Sequence, residues 1–238
     1  MARTHNRALA WAGGAGLAAG AAAYWLPAAA LVSARARRLF RVHATVPGPR
    51  IVLTFDDGPH LQGTPACLAA LDRLGLPAVF FLVGEQVQRY PTLAAEIAAA
   101  GHQIGLHCHR HRNLMRLTPR QTRDDLARAV YLIAEATGSE PRHYRPPYGI
   151  LTTAALASAR NLGCEVVLWR RDGHDWEGDA TAGSISRRIL RALAPGDVVL
   201  LHDADHYSAA GSWRHTLAAL DPIAAGLEQR RLHAAPLP

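Results

Sequence analysis

Short strand-like segments alternate with longer helix-like segments along most of this chain of 238 residues. The strand-like segments cover residues 51–55, 78–82, 103–106, 142–145, 165–169, 198–201 and, more briefly, 231–234. Most of them are apolar runs bounded by turn residues, which is typical of buried strands. Alternating strands and helices favour a parallel sheet covered by helices. We therefore predict an α/β fold in which about seven such units can close into a barrel, with its chemistry at the strand ends.

Capping signals mark the ends of two predicted helices. Thr64-Pro65 offers an N-cap followed by proline at the first helical position, and Thr118-Pro119 does the same. The second of these helices is predicted to stop at Gly138. Further helices are predicted over residues 151–161, 184–193 and 213–230.

The N-terminal region has a different pattern. Residues 8–34 carry no formal charge, and their length suits a membrane span, which needs about 20 apolar residues, although Ala and Gly dominate and Pro27 lies inside. Val32-Ser33-Ala34 also has the small-x-small pattern of a signal-peptide cleavage site. We predict a hydrophobic segment that is a membrane anchor, a cleaved signal segment or a disordered Ala/Gly leader. Two arginines precede it and four follow it closely, so the flanking charges leave its orientation open.

Charge and turn residues divide the chain. Residues 41–50, which contain a Pro-Gly-Pro run, are predicted to link an N-terminal segment of residues 1–40 to one domain of residues 51–238. The formal net charge of +7 comes from the first 50 residues, which hold seven arginines and no acid. The other basic residues are matched by the 19 acids, so a nucleic-acid-binding face is not expected.

Two adjacent carboxylates, Asp56 and Asp57, follow the strand-like run 51–55 and precede Gly58-Pro59. Neighbouring strand residues point to opposite sides, so both carboxylates can reach one site only where the strand ends. Two acids there repel, and the pair is costly unless a cation lies beside it. We therefore predict that a metal ion or an arginine neutralises the pair.

Three histidines lie in residues 107–111, directly after another predicted strand. His107 and His111 are four residues apart, which on a helical turn puts both imidazoles on one face, as paired metal ligands require. Together with Asp57 they would form a three-ligand site with open positions for water and substrate, which is typical of catalytic zinc. The alternative is an exposed histidine-rich loop. His109 and Cys108 are not expected to bind the ion.

Another polar cluster ends the segment 142–145. Arg145 precedes Pro146-Pro147-Tyr148-Gly149, a turn that the two prolines make rigid. Arg145 can donate a fork of hydrogen bonds to a carboxylate, and Asp56 is the natural partner. The amide of Tyr148 can serve as an oxyanion donor. The alternative is a proline turn with a surface arginine.

Two further clusters follow the last predicted strands of the sheet. His202 ends the run 198–201 and is a candidate general acid, with Asp175 holding its imidazolium. Trp176 and Pro147 are expected to form walls of the substrate pocket.

Taken together, these clusters resemble the motifs of the polysaccharide deacetylases, the NodB-homology carbohydrate esterases of family four. All five motifs occur in order, at residues 54–58, 107–111, 145–149, 175–176 and 201–202. The resemblance implies a distorted (β/α)7 barrel, preceded here by the N-terminal hydrophobic segment. It also implies a hydrolase that removes acetyl groups from N-acetylated sugars such as peptidoglycan or a chitin-like oligomer.

The resemblance further implies a role for each site residue. Asp56 becomes the general base, Arg145 its clamp, Asp57, His107 and His111 the metal ligands, Tyr148 the oxyanion amide, and His202 the acid tethered by Asp175. The expected cofactor is a divalent metal, Zn²⁺ or alternatively Co²⁺, Ni²⁺ or Mn²⁺. Cys108 departs from the family pattern, which has Ser or Thr bracing the metal loop, and a thiol is a weak hydrogen-bond partner.

Two other functions stay open at this point. One keeps the site but changes the substrate, as an O-acetyl esterase or as a deformylase or amidase acting on a lipid-linked sugar. The other is a membrane-tethered glycan-binding protein with an inactive site. The expected partners are a glycan and, through an uncleaved N-terminal segment, a membrane, but no nucleic acid. We expect a monomer that is anchored facing the extracytoplasmic side, or secreted if the leader is removed.

Overall fold

A computed structural model describes residues 23–238, and a nine-stranded sheet lies at their centre. Its strands are β1 (Val42–His43), β2 (Arg50–Asp56), β3 (Ala78–Val83), β4 (Gln103–Cys108), β5 (His143–Tyr144), β6 (Glu165–Val167), β7 (Arg171–Asp172), β8 (Val198–His202) and β9 (His233–Ala234). The order across the sheet is β1-β6-β5-β4-β3-β2-β8-β7, with β9 beside β2, and the paired strands run parallel. The predicted α/β fold is confirmed as a curled, distorted barrel.

Helices connect most of the strands. They are α1 (Ala34–Leu39), α2 (Gly63–Leu74), α3 (Gly84–Arg89), α4 (Pro91–Ala99), α5 (Pro119–Thr137), α6 (Thr153–Asn161), α7 (Ala182–Leu190) and α8 (Ser212–Gln229), with 3-10 helices at Leu26–Leu31, Leu114–Arg116 and Pro147–Gly149. Helix α5 begins and ends as the sequence predicts: Thr118 and Gln121 form a capping box, and Gly138 ends the helix with a left-handed φ of 74°.

The alternation of side chains along β2 places the site. Ile51 and Phe55 face the large apolar cluster that the helices cover, whereas Val52 belongs to a smaller cluster on the other face of the sheet. Because side chains alternate along a strand, Asp56 falls on the same face as Val52, at the carboxyl end of β2. The fold therefore delivers one carboxylate to the concave end of the barrel by strand periodicity alone.

The predicted N-cap at Thr64 is wrong. Helix α2 begins at Gly63, and Gln62 takes the N-cap position without a side-chain cap. The hydroxyl of Thr64 accepts a hydrogen bond from the backbone N–H of His60 at 2.7 Å and donates one to Asp203. A partner 139 residues away thus outcompetes the local capping pattern.

The predicted linker and N-terminal segment contain structure of their own. Within residues 41–50, β1 pairs with β6, and Val42 and Ala44 are buried in the main core. Residues 1–22, which hold most of the predicted hydrophobic segment, lie outside the described residues. In residues 23–238, none of the helices has the length and apolarity that a bilayer span requires.

Candidate active site

A cavity of about 270 Å³ opens at the carboxyl ends of the central strands. It is lined by Asp56, Asp57, His107, His111, Tyr148, Gly149, Trp169, Trp176, Leu200, His202, Tyr207 and Ser208. Seven predicted site residues therefore share one cavity. Arg145 and Asp175 are fully buried and bond to residues of this lining. Pro147, predicted as a wall of the pocket, is buried and does not line the cavity. It lies in the turn Pro147–Gly149, which carries Tyr148.

The two adjacent carboxylates reach one cavity because the strand breaks between them. Asp56 is the last residue of β2, and Asp57 has a left-handed φ of 79°. That conformation is costly for a residue with a side chain and persists only where its surroundings enforce it. Both carboxylates are buried, with 4% of each residue exposed.

Three possible ligand atoms converge at Asp57. Oδ1 of Asp57 lies 3.5 Å from Nε2 of His107 and 3.5 Å from Nε2 of His111. Nδ1 of His107 lies 2.7 Å from the carbonyl oxygen of Arg145. Because a carbonyl only accepts, that nitrogen carries the proton, which leaves Nε2 of the neutral ring with a free lone pair.

The protonation states suit cation binding. Burial favours the neutral acid, but the adjacent imidazole of His107 and the charges of the other surrounding histidines lower the pKa of Asp57 to about 2. Burial, reinforced by the neighbouring His107, lowers the pKa of His111 to about 4. At neutral pH the cluster thus presents a carboxylate and a neutral imidazole, which are the forms that bind metals.

The histidine pair is positioned differently from the helical turn that its spacing suggests. His107 lies in β4, whereas His111 lies in the loop that follows. This loop is braced by Asp125 of α5, which accepts hydrogen bonds from the backbone N–H groups of His109 at 2.8 Å and Arg110 at 3.3 Å. Asp125 therefore supplies a brace for the metal loop that the thiol of Cys108 is poorly suited to give.

Arg145 holds Asp56 from below the cavity floor. Its Nη1 donates to Oδ1 of Asp56 at 2.8 Å and to Oγ1 of Thr54 at 2.6 Å. The guanidinium stacks over the ring of Phe81, with 4.2 Å from Cζ to the ring centre. The contact to Asp56 is a single hydrogen bond rather than the predicted fork, because the other donors of Arg145 point to backbone carbonyls.

On the opposite side of the cavity, Asp175 holds His202. Nδ1 of His202 donates to Oδ1 of Asp175 at 2.9 Å, and Oδ2 of Asp175 accepts from the backbone N–H of His202 and from the hydroxyl of Thr216, each at 2.7 Å. Burial disfavours the imidazolium, but Asp175 outweighs it and raises the pKa of His202 to about 10. The pair thus keeps a proton on a histidine beside Asp57.

The sequence prediction assigns no role to Tyr207, which lines the cavity, or to Asp203, which follows His202. Tyr207 stacks on His111, with ring centres 4.4 Å apart, and donates a hydrogen bond to Glu85 at 2.6 Å. Asp203 is fully buried, and burial raises its pKa to about 7. Asp203 directly follows His202 in sequence, which is a signal that could have identified it. Tyr207 lies in a loop with no distinguishing pattern.

A second cluster with one carboxylate and two imidazoles lies beside the cavity, in His60, Asp205 and His206. Nε2 of His60 lies 3.3 Å from Oδ1 of Asp205. Nδ1 of His60 accepts hydrogen bonds from the backbone N–H groups of Gly63 at 2.8 Å and Gln62 at 3.3 Å, at the start of α2. The ring of His60 is therefore held through Nδ1 at the start of α2, with Nε2 beside Asp205.

Comparison with known proteins finds a family and close relatives. The family model described as polysaccharide deacetylase matches residues 43–167. A chitooligosaccharide deacetylase of Bradyrhizobium sp. is 35% identical over 206 residues, covering 83% of this chain and 94% of that protein. A peptidoglycan-N-acetylglucosamine deacetylase of Bacillus cereus is 32% identical over 188 residues, covering 79% of this chain and 66% of that protein.

A solved structure shares the fold. The crystal structure of a peptidoglycan N-acetylglucosamine deacetylase, bound to 4-naphthalen-1-yl-N-oxidanyl-benzamide, superposes with a TM-score of 0.80 at 29% sequence identity. The match covers 87% of this chain and 95% of that structure.

Proposed function

This chain belongs to the polysaccharide deacetylase family, a family of hydrolases, and from that premise we propose that it removes N-acetyl groups from a glycan with the help of a bound divalent cation. The observation that carries the proposal is the convergence of Asp57, His107 and His111. On one side of them lies Asp56, bonded to Arg145, and on the other lies His202, bonded to Asp175. A glycan-binding protein without catalysis would have no need of this complete set.

The residues fit a divalent cation. Oδ1 of Asp57 is buried and has no hydrogen-bond partner among residues 23–238, as expected of an atom that awaits a cation. With Zn–N and Zn–O bonds of about 2.0–2.1 Å, ligand atoms of a tetrahedral site lie roughly 3.3–3.4 Å apart. The separations of 3.5 Å from Asp57 to each histidine match that spacing. We propose Zn²⁺ as the cation, with Co²⁺, Ni²⁺ and Mn²⁺ to be compared.

When bound, a divalent cation polarises a carbonyl oxygen and lowers the pKa of a bound water to about 7. Asp56 then takes a proton from the attacking water as the new C–O bond forms. Arg145 orients Asp56 and balances its charge through an ion pair in which Nη1 lies 2.8 Å from Oδ1 of Asp56. Asp56 therefore serves as the base and Asp57 as a ligand of the cation, although the two are adjacent in sequence.

The other side of the cavity completes the reaction. The backbone N–H of Tyr148 donates to the amide oxygen as that oxygen gains charge, and losing one such donor costs about 3–4 kcal/mol. His202 delivers its proton to the amide nitrogen as the C–N bond breaks, so that acetate and a free amine leave. Asp175 fixes the tautomer that presents Nε2 to the cavity.

The substrate is proposed to be a polymer or oligomer of N-acetylhexosamine. Trp176, Trp169 and Tyr207 give the cavity flat apolar walls, against which the C–H face of a sugar ring can pack. The relatives named for chitooligosaccharide and peptidoglycan point to the same class. We further propose that the domain of residues 51–238 acts outside the cytoplasm, either tethered by the segment of residues 1–40 or released from it.

Acetate release tests the proposal. Metal-free protein would be given N-acetylglucosamine oligomers, peptidoglycan fragments and acetylated xylan, each with EDTA or with one of the four cations. We expect acetate from a hexosamine substrate only when a cation is present. Release from acetylated xylan alone would make the protein an O-acetyl esterase, and undiminished release in EDTA would contradict the cation's role.

A further inference from the structure

Large apolar side chains are exposed mainly on one side of the cavity mouth. Eight such side chains are exposed among residues 23–238. Five of them form what we call the apolar rim: Trp25 (41% exposed), Leu26 (55%), Val32 (86%), Met115 (38%) and Tyr148 (54%). Contiguous exposed apolar surface is unusual on a monomeric protein and marks an interaction site.

Contacts of the N-terminal segment bring together the three stretches of chain that carry these residues. The hydroxyl of Tyr24 donates to the carbonyl of Leu117 at 3.1 Å, directly after the 3-10 helix that contains Met115. The hydroxyl of Thr153 donates to the carbonyl of Tyr24 at 3.1 Å. Leu31 packs so closely on Gly149 that a Cβ there would lie 2.6 Å from Leu31 Cδ1.

Charge distinguishes this side of the mouth from the other. The three segments that build the apolar rim, residues 23–41, 109–118 and 145–152, contain no acidic residue. They carry exposed arginines, namely Arg35, Arg38, Arg41, Arg110 and Arg116. Across the cavity, the acids that reach the surface are Asp172, Glu177, Asp179 and Asp205, whereas Asp175 and Asp203 are buried. The mouth is thus apolar and cationic on one side and acidic on the other.

We propose that the apolar rim docks on an anionic lipid bilayer. Trp and Tyr side chains favour the membrane–water interface, and arginines beside an apolar face bind anionic headgroups. Residues 8–22, which precede the rim in sequence, are uncharged and rich in Ala, which fits the same environment. A second copy docked rim to rim would set the arginines of both copies against each other, so like charges oppose a two-fold dimer through this surface.

Docking in this way bears on the substrate. Tyr148 belongs both to the apolar rim and to the lining of the cavity, so the mouth would open beside the lipid surface. This step rests on the proposed function, and it names a glycan carried by a lipid as the preferred substrate.

A fluorescent label tests the docking separately from any tether. Cys67, Cys108 and Cys164 are buried, so a polarity-sensitive thiol label can be directed to Met115→Cys in the full chain. Tyr131→Cys is the matched control, because Tyr131 is 55% exposed on α5, away from the apolar rim. With phosphatidylglycerol vesicles, we expect a blue shift at position 115 and none at position 131.

The results of the labelling experiment distinguish a lipid bilayer from a second copy of the chain as the partner of the apolar rim. If the protein co-sediments with vesicles but neither label shows a blue shift, the membrane is bound by a part of the chain other than the apolar rim. That result would overturn the proposal. A blue shift at position 115 that grows with protein concentration in the absence of lipid identifies a second copy instead. The double variant Arg110→Gln and Arg116→Gln should weaken docking to anionic vesicles at least tenfold and change docking to neutral vesicles little; equal losses on both contradict the headgroup role.

Kinetics test the substrate. The double variant Trp25→Ser and Leu26→Ser should lower kcat/KM about tenfold for a lipid-linked N-acetylglucosamine in vesicles and leave a soluble oligomer unaffected. Equal effects on both substrates would contradict the preference. If the wild-type protein released acetate from neither, the proposed function would fail, while the label at position 115 would still report docking.

Discussion

The structure contains two clusters of one aspartate and two histidines, and only one of them is arranged as a metal site. The first cluster is Asp57, His107 and His111, and the second is His60, Asp205 and His206. In each cluster the possible ligand atoms lie within 4.8 Å of one another. Composition and proximity therefore do not separate them. The difference lies in what the second nitrogen of a key histidine does.

In the first cluster, Nδ1 of His107 donates to the carbonyl of Arg145, so Nε2 is free to bind a cation. In the second, Nδ1 of His60 accepts from the N–H of Gly63, so the proton of the neutral ring sits on Nε2, which lies 3.3 Å from Oδ1 of Asp205. A cation on Nε2 would have to remove the only proton of the ring or break the bond at the start of α2. We conclude that His60 joins two loops and caps a helix rather than binding metal.

The largest expected effect comes from removing one ligand of the first cluster. His107→Ala should abolish stoichiometric zinc binding and acetate release together, because Asp57 and His111 alone leave two protein ligands. His60→Ala is the matched control and should keep about one zinc per chain. Metal analysis after dialysis and an acetate assay measure both. Equal zinc loss in the two variants would remove the distinction between the clusters.

Asp56→Asn should separate metal binding from turnover. The variant keeps the shape of the side chain and its contact with Arg145 but cannot take a proton, so we expect kcat to fall roughly 10²–10⁴-fold with zinc content unchanged. Asp205→Asn, in the second cluster, should leave kcat within a few-fold of wild type. Near-normal turnover by Asp56→Asn would show that another group is the base.

Asp125→Ala should weaken the first cluster without touching a ligand. Asp125 holds the loop of His111 through the N–H groups of His109 and Arg110, and loss of such supporting contacts typically costs about 10–100-fold in metal affinity. A competition titration with a zinc chelator measures this. Asp124→Ala, at an exposed neighbour on the same helix, is the control and should bind zinc like wild type.

Local sequence patterns predict some parts of this molecule, whereas contacts between distant elements determine others. The parallel sheet and the charged residues of the cavity were predictable, because strand periodicity and motif order place Asp56, Asp57 and His107 at strand ends. Asp125 and Thr64 were not, because their partners lie on other elements and local patterns point elsewhere. Thr64 looks like an N-cap until Asp203 is folded against it. A role that depends on a hydrogen bond to a distant element cannot be recognised from the local pattern of residues.

The smallest expected effect concerns the second cluster itself. His60→Ala removes the acceptor for the first N–H groups of α2, and loss of a capping acceptor costs about 1 kcal/mol in the free energy of unfolding. Urea denaturation of the metal-free protein measures it, with Leu61→Ala, an exposed neighbour, as the control.

The pH dependence of that difference tests the arrangement of His60 further. Burial lowers the pKa of His60 below its ordinary value of 6.5, although Asp205 opposes the shift. The unfolded chain then binds a proton more readily than the folded one, so this histidine favours folding fully above about pH 6.5 and less as the pH falls through that value. The stability gap between wild type and His60→Ala should therefore narrow on acidification. A gap that widened instead would mean that the folded state holds a protonated His60, with Nδ1 donating rather than accepting, and the contrast between the two clusters would have to be redrawn.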